Sequence, residues 1–105
     1  MDEKQRARLK IVETLECMLA GELSFIEGSR ALSSLLHFAD VDRVSEPFVT
    51  FVAIESETDD MPLGDVKALW SKEALDKHAA EWSQAEDWAR RIGEPASRNA
   101  LALLR

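Results

Sequence analysis

One cysteine, three prolines, four glycines and no tyrosine are all that this chain of 105 residues holds of those types. Each scarcity excludes something. Cys17 alone forms neither an intramolecular disulfide nor a cysteine-rich zinc site, and it fits a reducing compartment. So few Gly and Pro argue against an all-β fold, which needs turn residues roughly every 8–12 positions. No apolar run approaches the ~18 residues of a membrane span. The opening MDEKQRARLK also lacks the apolar core of a secretory signal, so the expected location is cytoplasmic. A phosphate-binding glycine loop and a nucleophile elbow are absent as well. No internal repeat or low-complexity segment is visible.

What is present describes one helical domain. The length suits a single hydrophobic core, and 46% hydrophobic with 31% charged residues is ordinary for a globular chain. The charge is unevenly placed. The net charge is −7, and residues 40–65 hold eight acids against the single base Arg43, so that quarter accounts for all of it. The other residues carry twelve acids and twelve bases. An acidic patch repels phosphate, which disfavours nucleic acid, and suits a cation or a basic protein.

The apolar spacing predicts the elements. Ile11, Val12, Leu15, Met18 and Leu19 form one stripe of a helix over 3–20, with Gly21 at its C-cap. Its basic start, with Lys4, Arg6, Arg8 and Lys10, reads as a solvated outer face and not as a membrane anchor. Ser24 and Glu27 have capping-box spacing for a second helix running to about Ala39, antiparallel to the first across a short loop. Gly28 and Ser29 in that helix would admit another backbone. Ser45-Glu46-Pro47 reads as an N-cap and first turn. Residues 48–55 are rich in β-branched side chains. Helix is expected there, because an isolated strand would find no partner. Pro62 and Gly64 break the chain into a loop from Ser56, and Asp65–Trp70 is a short helical turn. Ser71 caps the longest helix, 72–92, with Ala74, Leu75, His78, Trp82, Ala85, Ala89 and Ile92 inward. Gly93 is expected to stop it, and Pro95 to open a last short helix over Ala96–Leu104. The fold class is all-α, a compact bundle of four to six helices.

Few residues suggest chemistry. His78 sits on an apolar helical face and reads as a core histidine bonded to a neighbouring helix. His78 and Glu81 give H-x-x-E, the reverse of the E-x-x-H order used twice by di-iron bundles, so a di-metal site is not assigned. Glu55, Glu57 and Asp59 alternate like the start of a calcium loop. Asp60 then stands where the loop needs Gly, and Val66 where it needs Glu, so an EF-hand is excluded. Trp82 faces inward by phase, while Trp88 lies at the flank of its stripe and is expected to be partly buried.

Glu27-Gly28-x-Arg30, Phe51, Ile54-x-Ser56-Glu57-Thr58-Asp59, Pro62-x-Gly64 and Trp70 together resemble a family of small bacterial proteins known as a domain of unknown function. The resemblance spans Gly21 to Ile92. It implies no activity, but it does imply that Arg30 and the Ser56–Gly64 loop act together. In physical form, Arg30 would pair with the Glu57 or Asp59 carboxylate and hold the loop on the second helix. The expected function is a non-catalytic interaction protein. Glu55, Glu57, Asp59, Asp60 and Asp65 would meet a basic partner, as an immunity or antitoxin-like protein covers a basic toxin. Arg30, Trp70, His78 and Trp82 are assigned structural roles, and no catalytic residue, metal ligand or cofactor is assigned. The alternative is a small-ligand or metal-binding domain using His78, Glu57 and Asp59. The oligomeric state is not legible.

Overall fold

Capping chemistry sets where the helices begin. In the computed structural model, which describes residues 1–105 with the side chains at 64 and 65 excepted, Asp2 opens α1 (Glu3–Leu19). Its carboxylate accepts the Gln5 amide at 2.8 Å, and the Gln5 side chain accepts the Asp2 amide at 3.2 Å. This reciprocal box satisfies two of the donors that a helix start leaves unpaired. Ala7, Ile11, Leu15 and Met18 form the buried stripe. Gly21, at φ +78, closes the helix. The Glu22 amide donates to the Cys17 carbonyl at 2.9 Å and the Gly21 amide to that of Met18 at 3.2 Å, the paired bonds of a Schellman turn.

α2 (Phe25–Phe38) returns antiparallel to α1. Met18 near the end of α1 lies against Gly28 near the start of α2, and a Cβ at position 28 would collide with the Met18 thioether. At the other end, Lys4 reaches to 3.9 Å from Asp40. The space left by Gly28 is therefore filled by the Met18 side chain of α1, and not by the backbone expected from the sequence. α2 ends in the same bond pattern as α1, with the Val41 amide on the Leu36 carbonyl at 3.0 Å. Here Asp40 takes the left-handed position, at φ +56.

α3 (Val49–Glu57) confirms helix over the β-branched run. Phe51 and Ile54, one turn apart, are both at 0% exposure. Fully burying such side chains is worth about 1.5–3 kcal/mol each, more than the few tenths that β-branching costs a helix. Ser45 does not cap it. Its hydroxyl donates to the Asp42 carbonyl at 2.7 Å, and the Asp42 carboxylate accepts the Val44 amide at 3.1 Å. The local Asx turn takes these groups, and the helix starts three residues later than the sequence suggests.

α4 (Gly64–Lys67) is one turn, and α5 (Lys72–Leu104) is the longest element at 33 residues. Ser71 caps α5 as expected, accepting the Ala74 amide at 3.1 Å. Gly93 does not stop it, and Pro95 does not start a new helix: both lie inside α5. Gly93 is there for packing. A Cβ on it would come 2.7 Å from Cδ1 of Phe25 and 3.4 Å from Cδ1 of Ile54, so the missing side chain is what lets α2 and α3 close on α5. Pro95 and Arg91 are both exposed, so water can take the Arg91 carbonyl that a proline cannot bond.

The core is built from Ile11, Leu15, Leu32, Leu36, Phe51 and Ile54, with Ala89 and Ala100 of α5 against them. The fold is all-α, with no strand among the described residues. No helix of the described residues is long and apolar enough to cross a membrane. α5 is unevenly used. Its buried residues are Ala89, Gly93, Ala96, Ser97, Ala100 and Leu101, and none lies before Ala89. The predicted inward face therefore fades toward the start of α5. Leu75, His78 and Trp82 are half-buried, and the first four turns extend past the core.

Candidate functional site

Arg30 holds the acidic loop, by a route the sequence does not show. It lies half-buried on α2. Its Nη1–H donates to the Met61 carbonyl at 3.2 Å, and its Nη2–H donates to the carbonyl of Thr58. Thr58 is the C-cap of α3, 2% exposed, with its hydroxyl donating to the Ile54 carbonyl at 2.7 Å. The guanidinium thus caps the end of α3, where orphan carbonyls and the negative end of the helix dipole favour a cation. The expected pairing with Glu57 or Asp59 is corrected. Arg30 binds backbone oxygens, and the carboxylates stay with solvent.

Of the carboxylates expected to meet a partner, Glu57, Asp59 and Asp60 are exposed and Glu55 is half-buried. None forms an ion pair among the described residues. Asp65, the remaining member of that set, lies outside the described side chains.

A groove of about 350 Å³ runs between the end of α3 and α5, lined by Glu57, Thr58, Glu81, Gln84, Ala85 and Trp88. Two carboxylates from sequence-distant elements meet there beside an indole. That combination suits an extended cationic side chain, through charge and through cation–π attraction. Trp88 is partly buried as expected. The contribution of Glu81 was missed as part of the acidic surface, because it lies outside residues 40–65 and reaches the loop only through the packing of α5 on α3.

Beside the groove stands an aromatic group. The His78 and Trp82 rings stack at 5.6 Å and 22°, and Trp70 meets both edge-on, at 5.9 and 5.5 Å. His78 is not a core histidine. Its side chain is 36% exposed, and Nδ1 lies 3.2 Å from Oε2 of Glu81 on its own helix, not on a neighbour. The reason is its position on the part of α5 that passes beyond the core. Trp70 and Trp82 are half-buried, and they pack on each other and on His78.

A second carboxylate site is already filled. Glu86 of α5 accepts the Phe25 amide at 2.8 Å and the Ile26 amide at 3.1 Å, which caps α2 from the far end of the chain. The Ser24 hydroxyl accepts the Glu27 amide at 3.0 Å, so half of the predicted capping box forms. Glu86 takes donors that Ser24 leaves over, and no local pattern announces a cap sixty residues away. The adjoining cavity, about 370 Å³, is bordered by Glu86, Arg90 and Glu94.

The surroundings of Cys17 do not activate it as a nucleophile. Partial burial, and then the neighbouring Glu22 carboxylate, raise the Cys17 thiol above its ordinary value, which disfavours the thiolate. The Ser29 and Ser33 hydroxyls are buried without a hydrogen-bond partner among the described residues. No group of three His, Cys, Asp or Glu side chains among the described residues is placed to hold a metal ion, so His78, Glu57 and Asp59 do not form the ligand set considered from sequence. No protein-family model, curated protein or solved structure matches the chain.

Proposed function

We propose that the chain is a non-catalytic interaction protein whose acidic surface, residues 40–65 extended by Glu81, docks a basic protein, in the manner of an immunity or antitoxin-like protein covering a basic toxin. The observation that carries this reading is the Arg30 staple. It fixes the loop through two backbone carbonyls and so leaves Glu57, Asp59 and Asp60 without ion pairs among the described residues. A pre-set loop loses little entropy on docking, and its carboxylates need not first give up a partner. The groove beside Glu57, Glu81 and Trp88 provides an anchoring point for one Lys or Arg of the partner. Nucleic acid is repelled by the same charge.

The test is affinity capture from the native host at about 50 mM and at about 500 mM salt, a range over which the screening length falls severalfold. The wild-type chain and the Glu57→Gln, Asp59→Asn, Asp60→Asn triple variant are compared. The expected result is a basic protein recovered at low salt, diminished at high salt and lost with the triple variant. Recovery of acidic proteins only, or equal recovery with the triple variant, refutes the reading.

A further inference from the structure

We infer that the first four turns of α5, with α4 beside them, form a self-association arm that pairs antiparallel with the arm of a second copy of this chain. Two observations support it. The stretch from Lys72 to Gln84 contributes no buried residue, although Leu75, His78 and Trp82 continue the stripe that Ala89 and Gly93 use in the core. Next to it stand the most exposed aliphatics of this region, Leu69 at 84% and Val66 at 57%. Apolar side chains concentrated on a projecting helix mark an interface more than singly scattered ones do.

Charge identifies the occupant. Residues 66–84 carry three lysines (Lys67, Lys72, Lys77) and three acids (Glu73, Asp76, Glu81), so this stretch is neutral in a chain of net charge −7. Glu81 at its edge belongs to the groove already assigned to a basic partner, but the stretch as a whole offers a basic protein no acidic excess and an anionic lipid surface no basic excess. A second copy does gain. Lys77 and Glu81 lie one turn apart on the same flank of the apolar stripe. Two-fold antiparallel pairing places like flanks together. Centred on Ala79, it sets Lys77 of each copy beside Glu81 of the other and brings Leu75 within one residue of Trp82. The arm is about 20 Å long at 1.5 Å per residue, so the area it can bury sits at the low end of the ~1,200–2,000 Å² of stable interfaces. Association is therefore reversible and concentration-dependent.

The test is sedimentation equilibrium of the full chain from about 10 µM to about 1 mM, with helicity checked by circular dichroism. The expected mass rises with concentration from 11.8 kDa toward twice that value. Leu69→Lys, at a position too exposed to disturb folding, moves the midpoint at least about tenfold higher. Lys77→Glu and Glu81→Lys each weaken association, and the double exchange Lys77→Glu/Glu81→Lys restores it. A mass that stays at 11.8 kDa throughout overturns the inference, and so does a Leu69→Lys variant that associates like wild type. Wild-type chain that stays monomeric but floats with anionic vesicles overturns it in favour of a lipid-facing arm.

Discussion

Arg30 decides whether the acidic loop is an ordered surface or a frayed end. Its guanidinium satisfies the Thr58 and Met61 carbonyls together. Hydrogen bonds to a charged donor contribute about 1.5–3 kcal/mol each, less where solvent competes, so Arg30→Ala is expected to cost about 2–3 kcal/mol in urea denaturation. Arg30→Lys is expected to keep only part of that, because an ammonium lacks the fork that reaches two acceptors at once. Neutralising Glu57 or Asp59 should change stability by less than about 0.5 kcal/mol. Had Arg30 paired with those carboxylates, their neutralisation would cost nearly as much as losing Arg30, so the comparison separates the two geometries. The sequence could place Arg30 near the loop but could not name its acceptors. Every residue has a carbonyl, and which ones lack a donor depends on where α3 ends.

At the scale of the helix, α5 shows how a local signal is overruled by packing. Gly93 and Pro95 have the composition of a helix stop, yet the chain continues through both. Gly93→Ala gains about 1 kcal/mol of helix propensity. It also forces a methyl to 2.7 Å from a buried Phe25 ring, and overpacking of this kind costs about 1–3 kcal/mol. The expected sum is a net loss near 1 kcal/mol. Pro95→Ala has the opposite sign. An interior proline costs about 3 kcal/mol, offset by roughly 1 kcal/mol of lost freedom in the unfolded chain. Its removal also lets position 95 bond the Arg91 carbonyl, for an expected gain of about 2 kcal/mol. Thermal melts of the two variants, moving in opposite directions, test both assignments. Legibility follows the same line. Gly21, Ser71 and the 49–57 helix were readable, because a positive φ, a capping hydroxyl or an unpaired strand is decided within a few residues. The Glu86 cap on α2, the Glu57–Glu81 groove and the continuity of α5 depend on residues more than twenty positions apart, so they escaped.

For the molecule as a whole, α5 divides the structure into a packed body and an arm. Amides from Ala89 to Leu101 lie on a segment built into the common core, and they should exchange with solvent only when the fold opens globally. Amides from Leu75 to Gln84 have helix hydrogen bonds, but their side-chain support comes from the half-buried Trp70–His78–Trp82 group and from the groove edge at the end of α3. An isolated helix of about thirteen residues is marginal in water. The arm should therefore open at roughly 1–3 kcal/mol, well below the ~5–15 kcal/mol typical of whole domains. In hydrogen exchange at low micromolar concentration, the arm is expected to show protection orders of magnitude below that of residues 89–101. Trp70→Ala should lower arm protection further while leaving the body's exchange unchanged, because Trp70 is not part of the main core cluster. Raising the concentration should protect Leu75–Gln84 selectively if copies pair through it, since ordering an already helical arm is the entropy that association must offset. Arm amides as slow as Ala100 in dilute wild-type chain would show instead that the aromatic group alone makes α5 one cooperative unit, and the division into body and arm would fall.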